Sequence, residues 1–340
     1  MSQATQPSQA TQPRAVPQGL RALYEPIQEE LGQVEEILRR EARSRFPAID
    51  ELVKHGFRLG GKRLRPALLL LVGKAVSGQV GRAHLVLSAV AEMIHTATLV
   101  HDDVLDEAVV RRHLDTVNAR WNNQSSILLG DFLFSHAFYL ASTVGSTFAC
   151  RQIGRATKIV CEGELRQVAS RGDLTLTEAD YLSIIEAKTA ELCDCCSSIG
   201  AHYARAEAGV VRAMGRYGRY LGIAFQIVDD LLDLVGSEDM AGKSLGSDLE
   251  QEKLTLPLIR LLSQVKDVDR PRLARLLKQD APQRRAELTW WLDRSDALDY
   301  SRARAAAYVR RAVAQLRVLP ASHERDCLRR LGRFVLERSE

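Results

Sequence analysis

The stretch HTATLVHDDVLDEAVVRR, His95 to Arg112, closes an apolar run that begins at Leu85 with three acids, Asp102, Asp103 and Asp106, and then two arginines, Arg111 and Arg112. An apolar run of that length predicts a buried α-helix whose last turn is acidic. At about 100° and 1.5 Å per residue, Asp102 and Asp106 point the same way about 6 Å apart. Carboxylates so placed at the end of an apolar helix repel each other and require a counter-charge. A divalent cation supplies it. Magnesium prefers hard oxygen ligands, needs only one or two carboxylates, and completes its octahedron with water and substrate phosphate.

A lone Asp-Asp-x-x-Asp is usually a solvated helix end. This chain carries a second copy: FQIVDDLLDLVG places Asp229, Asp230 and Asp233 at the same spacing after another apolar run. Two acidic segments, each closing a buried helix, predict a pair facing each other across a cavity and holding cations over one polyanion. The candidate ligands are Asp102, Asp106, Asp229, Asp230 and Asp233.

GGKRLRP, Gly60 to Pro66, supplies the opposite charge. Glycines let backbone approach a ligand closely, and Pro66 suits the first position of the apolar helix that follows. A helix N-terminus flanked by Lys62, Arg63 and Arg65 fits a phosphate. By itself the motif reads as a solvated basic turn. Beside two acidic clusters it becomes the metal-free half of a polyphosphate site.

Composition excludes other classes. Forty-seven basic residues nearly balance 43 acidic ones across 340 residues, a formal charge of +4. No basic stripe interleaved with aromatics marks a nucleic-acid face. Six cysteines, at 150, 161, 193, 195, 196 and 327, lack disulfide-framework spacing. The Cys193–Cys196 group has no second ligand pair for zinc, so it reads as buried thiols in a reducing compartment, the cytoplasm. No uncharged span of 18 or more residues predicts a transmembrane helix.

Along the chain, residues 1–18 repeat SQATQP and read as a disordered Gln/Ser/Thr/Pro-rich tail, and residues 19–340 as one all-α domain. Leu23, Ile27, Leu31, Val34, Ile37 and Leu38 step along one helix face. Trp121–Ser142 reads as another apolar helix, with Asp131 a polar contact rather than a ligand. Glu162, Glu164 and Gln167 stand out on an otherwise buried-looking helix. Thr177 with Asp180 predicts a helix cap, and Lys188-Thr189 falls within a helix. Gly236–Pro257 is a glycine-rich charged loop. Strand signals are nearly absent, so the expected fold is all-α, a single large helical bundle around a central cavity.

GGKRLRP, HDDVLDEAVVRR, EAKTA, FQIVDDLLD and the Gly242-Lys243…Asp248…Lys253 loop occur in the order found in trans-prenyltransferases, and the chain after residue 20 resembles the longer-chain polyprenyl diphosphate synthases. The resemblance implies the isoprenoid synthase bundle, a homodimer, magnesium, and head-to-tail condensation of isopentenyl diphosphate onto an allylic diphosphate. It implies catalytic roles for Asp102, Asp103, Asp106, Arg111, Lys188, Asp229, Asp230 and Asp233. Lys62, Arg65, His95 and Arg112 match the positions that hold isopentenyl diphosphate. Arg111, Lys188, Thr189, Gln226, Lys243 and Lys253 match those around the allylic substrate, with Asp248 as an outer partner of the second cluster. A peripheral membrane contact for product release stays open.

Product length is expected to depend on Ile94, Ala97 and Thr98, the positions before Asp102. In this family a bulky ring there stops growth near fifteen carbons, so small side chains imply a longer product. His113-Leu114-Asp115-Thr116 stands where the family usually has a Gly and a Pro-Thr pair, and Asn122-Asn123 where glycine is commoner. Three rivals are a geranylgeranyl diphosphate synthase, a terpene cyclase, against which Asp229–Asp233 argues, and a non-catalytic partner subunit, which would have lost aspartates or the basic turn.

Overall fold

A computed structural model describes residues 18–59, 61–236, 246–278 and 284–338. The expected tail therefore lies outside the described residues but for Gln18, as do Lys243 and the middle of the glycine-rich loop.

The chain runs as α1 (Gln18–Tyr24), α2 (Gln28–Glu41), α3 (Pro47–Arg58), α4 (Leu64–Ser77), α5 (Arg82–Leu105), α6 (Val117–Arg120), α7 (Asn123–Ser142), α8 (Thr147–Ala169), α9 (Glu178–Ile185), a π-helical turn (Glu186–Ala190), α10 (Glu191–Tyr203), α11 (Ala208–Val235), α12 (Ser247–Glu250), α13 (Leu256–Gln264), α14 (Arg270–Lys278), α15 (Arg284–Leu292), α16 (Ala297–Gln315) and α17 (His323–Glu337). The architecture is all-α. One hydrophobic cluster extends from Leu20 to Val335.

Local chemistry explains the boundaries. Pro26 interrupts the first helical stretch with a 3-10 turn, Glu25–Ile27. Thr177 and Asp180 form the expected reciprocal cap of α9. The Asn122 side chain caps α7 by accepting from the Ser125 N–H. Helix α4 begins two residues earlier than expected, at Leu64, so Pro66 is its third residue, not its first. Its missing N–H is still one of the first-turn donors that no helix satisfies.

The only strands among the described residues form a two-residue hairpin, Val110–Arg111 paired with Leu114–Asp115. Its loop, Arg112-His113, has φ of 53° and 62°. A two-residue hairpin loop of this hand needs positive φ at both positions, so His113 occupies a backbone conformation that glycine adopts without strain. The departure at residue 113 therefore falls on a position whose backbone favours glycine.

Helix α10 is the buried centre, packed against α4, α5, α8 and α11. Small residues make this possible. A Cβ on Gly218 would lie 2.2 Å from the Cys193 carbonyl, and one on Gly200 would lie 2.4 Å from the Leu69 carbonyl. Cys193, Cys195 and Cys196 are buried in the same helix. Burial pushes all three thiols up, away from the reactive thiolate. They are compact packing groups. Helix α5 is long and apolar enough to cross a bilayer, but most of it lies inside the core.

Candidate active site

Helix α5 ends in the first acidic cluster, and the three carboxylates diverge. Asp103 is fully buried, and its Oδ1 accepts from Arg111 Nε at 2.7 Å. Burial pushes Asp103 up to about 6, with Arg111 opposing and Asp102 and Asp106 adding. Asp102 and Asp106 keep accessible oxygens, each 18% or 17% exposed, and face cations: Asp102 lies 3.5 Å from Lys188 Nζ, and Asp106 is 2.7 Å from Arg171 Nη2 and 3.1 Å from Lys253 Nζ. Gln251 donates to the Asp106 carbonyl at 3.1 Å.

The second cluster, on α11, also divides. Asp229 is 35% exposed and pairs with Arg338 at 2.8 Å. Asp230 is buried and accepts from Tyr181 Oη at 2.6 Å and Gln226 Nε2 at 2.7 Å. Burial raises its pKa, and the nearby Asp248 charge adds to the rise. Asp233 is buried under the segment that follows the loop, accepting from Ser247 Oγ at 2.9 Å and the Asp248 N–H at 3.0 Å. Of the three, Asp229 is the one that presents its carboxylate outward. Asp230 and Asp233 tie α11 to α9 and α12. Among the described residues no three acids or histidines converge on one point. The donor set offers one or two carboxylates per ion, which suits magnesium completed by phosphate and water.

EAKTA, Glu186–Ala190, is the π-helical turn. Such bulges re-aim side chains and gather at functional sites. Here the turn carries Lys188, whose Nζ reaches Glu164 at 2.5 Å and Gln167 at 2.8 Å. The neighbouring Thr189 hydroxyl donates to Gln226 Oε1 at 2.8 Å. Thr189, Gln226, Asp230 and Tyr181 thus form one hydrogen-bonded chain. Helix α8 approaches the turn so closely that a Cβ on Gly163 would lie 2.7 Å from the Lys188 nitrogen.

The basic turn sits beside Asp229. Burial pushes Lys62 down to about 8, helped by the Arg338 and Arg112 cations and opposed by Asp229. Arg112 lies across Gly61, where a Cβ would meet its guanidinium at 1.9 Å, and donates to the Leu59 carbonyl at 3.1 Å. It too feels the Asp229 charge. His95 is driven well below its ordinary value by burial and by Arg65, Arg112, Arg111 and Arg63, so the ring is neutral. The Nε of Arg65 is buried with no partner among the described residues.

Of the expected length-setting residues, Ile94 and Ala97 are fully buried, while Thr98, one turn before Asp102, keeps accessible surface and donates to the His95 carbonyl at 2.8 Å. Asp131 is exposed, 3.7 Å from His101. Sequence reading missed Arg171, Tyr181 and Arg338. Arg338 had no signal: it is one arginine in an arginine-rich terminus. Glu164 and Gln167 did stand out, as polar residues on a buried-looking helix, but nothing local tied them to Lys188.

Comparison with known proteins points to one family. Residues 46–292 match a family model described as polyprenyl synthetase. The chain is 34% identical over 314 residues to the all-trans-nonaprenyl-diphosphate synthase (geranyl-diphosphate specific) of Rhodobacter capsulatus, covering 92% of this chain and 96% of the relative. It is 35% identical over 280 residues to octaprenyl diphosphate synthase of Escherichia coli K12, covering 82% and 86%. The crystal structure of a polyprenyl synthase from Caulobacter crescentus CB15, complexed with calcium and isoprenyl diphosphate, is similar with a TM-score of 0.89 at 33% identity, covering 96% of this chain and 99% of that one.

Proposed function

The chain belongs to the polyprenyl synthetase family, and from that membership we propose that it condenses isopentenyl diphosphate head-to-tail onto an allylic diphosphate, with magnesium, to give a trans-polyprenyl diphosphate longer than fifteen carbons. The observation that carries the reading is the convergence of opposite charges: Lys62 and Arg112 both feel Asp229, while Lys188 bridges towards Asp102. Phosphate and cation are thereby accommodated side by side.

Asp102, Asp106 and Asp229 hold the metal ions, which when bound neutralise and activate the allylic diphosphate as a leaving group. Lys188, Lys253 and Arg111 face that diphosphate and stabilise the charge it gains as the allylic C–O bond breaks. Lys62, Arg65 and Arg112, with neutral His95, hold the second diphosphate. The homoallylic double bond of isopentenyl diphosphate then attacks the allylic cation, and a proton is lost. Asp103 acts by fixing Arg111. Asp230 acts through Gln226, holding Thr189 at the allylic side. Lys243 belongs to the same basic set by family position. The calcium and isoprenyl diphosphate named in the Caulobacter structure support a divalent cation beside a prenyl diphosphate.

Helix α7 exposes Ile127 (46%), Leu128 (66%) and Tyr139 (65%). An apolar face of that extent supports a homodimer built on α7. The cysteine usage supports a cytoplasmic enzyme, and the apolar product supports a passing bilayer contact on release. The test is incubation with labelled isopentenyl diphosphate, each allylic primer in turn and magnesium, with products sized by mass spectrometry. A product longer than fifteen carbons is expected. No product from any primer would refute the reading in favour of a partner subunit.

A further inference from the structure

Of the three basic side chains in the turn, Arg63 is the one whose charge is spent on the protein. Its Nε donates to Glu35 Oε1 at 2.5 Å and its Nη2 to Glu35 Oε2 at 3.3 Å, while Nη1 donates to Glu92 Oε1 at 2.6 Å. Glu35 is on α2 and Glu92 on α5, and Glu92 is 1% exposed. These are charge-assisted bonds in a partly enclosed site, where they are strong and geometrically exacting. Arg63 also has φ of 52°, left-handed, immediately before α4. That conformation disfavours any residue with a side chain unless its surroundings over-determine it. The surroundings do so here, since the Tyr24 hydroxyl also donates to the Lys62 carbonyl at 3.1 Å. Helices α1, α2 and α5 therefore grip one turn from three sides, and Arg63 is the handle.

We propose that Glu35 and Glu92, acting through Arg63, are positioning residues for the isopentenyl diphosphate subsite. They hold the turn in its left-handed form so that Lys62 and Arg65 are presented to the diphosphate. The inference rests on the reading of that subsite given above. It assigns the amino-terminal helices a part in substrate binding, and it removes Arg63 from the phosphate ligands despite its place in the motif.

The sign of one effect separates the roles. If Arg63 bound phosphate, neutralising its carboxylate partners would free its charge and lower the KM for isopentenyl diphosphate. If it positions the turn, the same change raises that KM. Glu92→Gln, Glu35→Gln and the pair Arg63→Gly and Arg63→Ala should be compared in the full chain with magnesium, measuring kcat and both KM values. Glu92→Gln is expected to raise the KM for isopentenyl diphosphate on the order of tenfold, leaving the allylic KM and kcat within about twofold. Glu35→Gln should do the same more weakly, being 32% exposed and better screened. Arg63→Gly, which accepts a left-handed backbone freely, should bind isopentenyl diphosphate better than Arg63→Ala. Should Glu92→Gln fail to fold, Glu35→Gln and the Arg63 pair decide. A fall in that KM on removing either carboxylate would overturn the proposal, and so would an unchanged KM in folded variants. Failure of the function itself would look different: the unaltered chain would give no isopentenyl-dependent product.

Discussion

Gly222 is where the site can be displaced without touching a charged group. It lies on α11 against Ala190, the last residue of the π-helical turn, and a Cβ built on it would sit 2.6 Å from Ala190 Cα and 2.9 Å from Ala190 Cβ. Ordinary contact begins at 3.4 Å, so Gly222→Ala must separate the two backbones by about 0.8 Å, with no flexible side-chain end to give way. Overpacking of this kind costs about 1–3 kcal/mol. At about 2.1 cal/mol/K of unfolding entropy per residue, each kcal/mol moves the melting temperature of a 340-residue chain by roughly 1–2 °C. The functional cost should be larger. The displaced turn carries Lys188 and Thr189, and α11 carries the Gln226 that bonds Thr189 at 2.8 Å. A misplacement near 1 Å of groups that stabilise a transition state costs on the order of 10²-fold in turnover. Steady-state kinetics with product sizing, alongside thermal melts, should show kcat down about 10²-fold and the KM for isopentenyl diphosphate within about twofold. Gly32→Ala is the control. It lies in α2 with nothing within 4 Å of the added methyl, and should raise stability by roughly 0.5–1 kcal/mol with turnover unaltered. Full turnover in a folded Gly222→Ala protein would refute the idea that the close approach of α11 sets the position of Lys188 and Thr189.

Asp102→Asn should lower turnover on the order of 10²–10³-fold, as when one preorganised stabiliser is lost; near-normal turnover would remove Asp102 from the metal site. Thr98→Phe should shorten the product, because Thr98 keeps accessible surface one turn before Asp102. Ala97→Phe should shorten it too, but at an added cost of about 1–3 kcal/mol in stability, since Ala97 is fully buried. Unchanged product lengths by mass spectrometry in both would sink the channel reading. Burial holds His84 below its ordinary value of 6.5, and its geometry demands the neutral ring, with Nδ1 accepting from the Gly81 N–H and Nε2 donating to the Gly200 carbonyl. Protonation therefore favours the unfolded chain, so this stability is present above pH 6.5 and is lost as pH falls below it. His84→Gln should flatten the decline in melting temperature between neutral and mildly acid pH, and equal slopes would contradict the assignment. Finally, Mn²⁺ titrated by calorimetry should bind more tightly with inorganic diphosphate present than without it; equal affinities would deny coupling between the two charges.

Local chemistry made much of this legible from sequence. The apolar runs, the Thr177–Asp180 cap, the break between α10 and α11 and the two acidic triplets are all written within a few residues of where they act. What could not be read is which way a residue inside a motif points, because that is decided by partners far along the chain. Asp103 turns inward to an arginine eight positions later, but Asp230 is taken by Tyr181, 49 positions away, and Arg63 by Glu35 and Glu92. The triplets look symmetrical in sequence and are not in space. The Arg112-His113 turn shows the same limit. Residue preference alone puts no strand there, yet the pairing of Arg111 with Leu114 imposes a left-handed loop on two residues that do not favour it.

The charges of the site explain how acids are tolerated in a partly buried place. Each outward carboxylate has a cation of its own: Asp102 faces Lys188, Asp106 faces Arg171 and Lys253, and Asp229 faces Arg338. A buried carboxylate with no such partner would be strongly destabilising. A divalent ion arriving alone must displace those cations and leave them unpaired, which offsets much of what it gains. A divalent ion arriving with a diphosphate does not, because each displaced lysine or arginine finds a phosphate oxygen in place of its carboxylate. On the proposed function, metal and diphosphate binding are expected to be coupled through the same side chains, and linkage makes such coupling reciprocal. Lys188 is the clearest case, since the turn that carries it leaves its Nζ within 3.5 Å of Asp102 and still anchored to Glu164 and Gln167. It can release the aspartate without losing its place. On the proposed function the basic side chains serve two states, balancing the acids before substrate arrives and the leaving group afterwards.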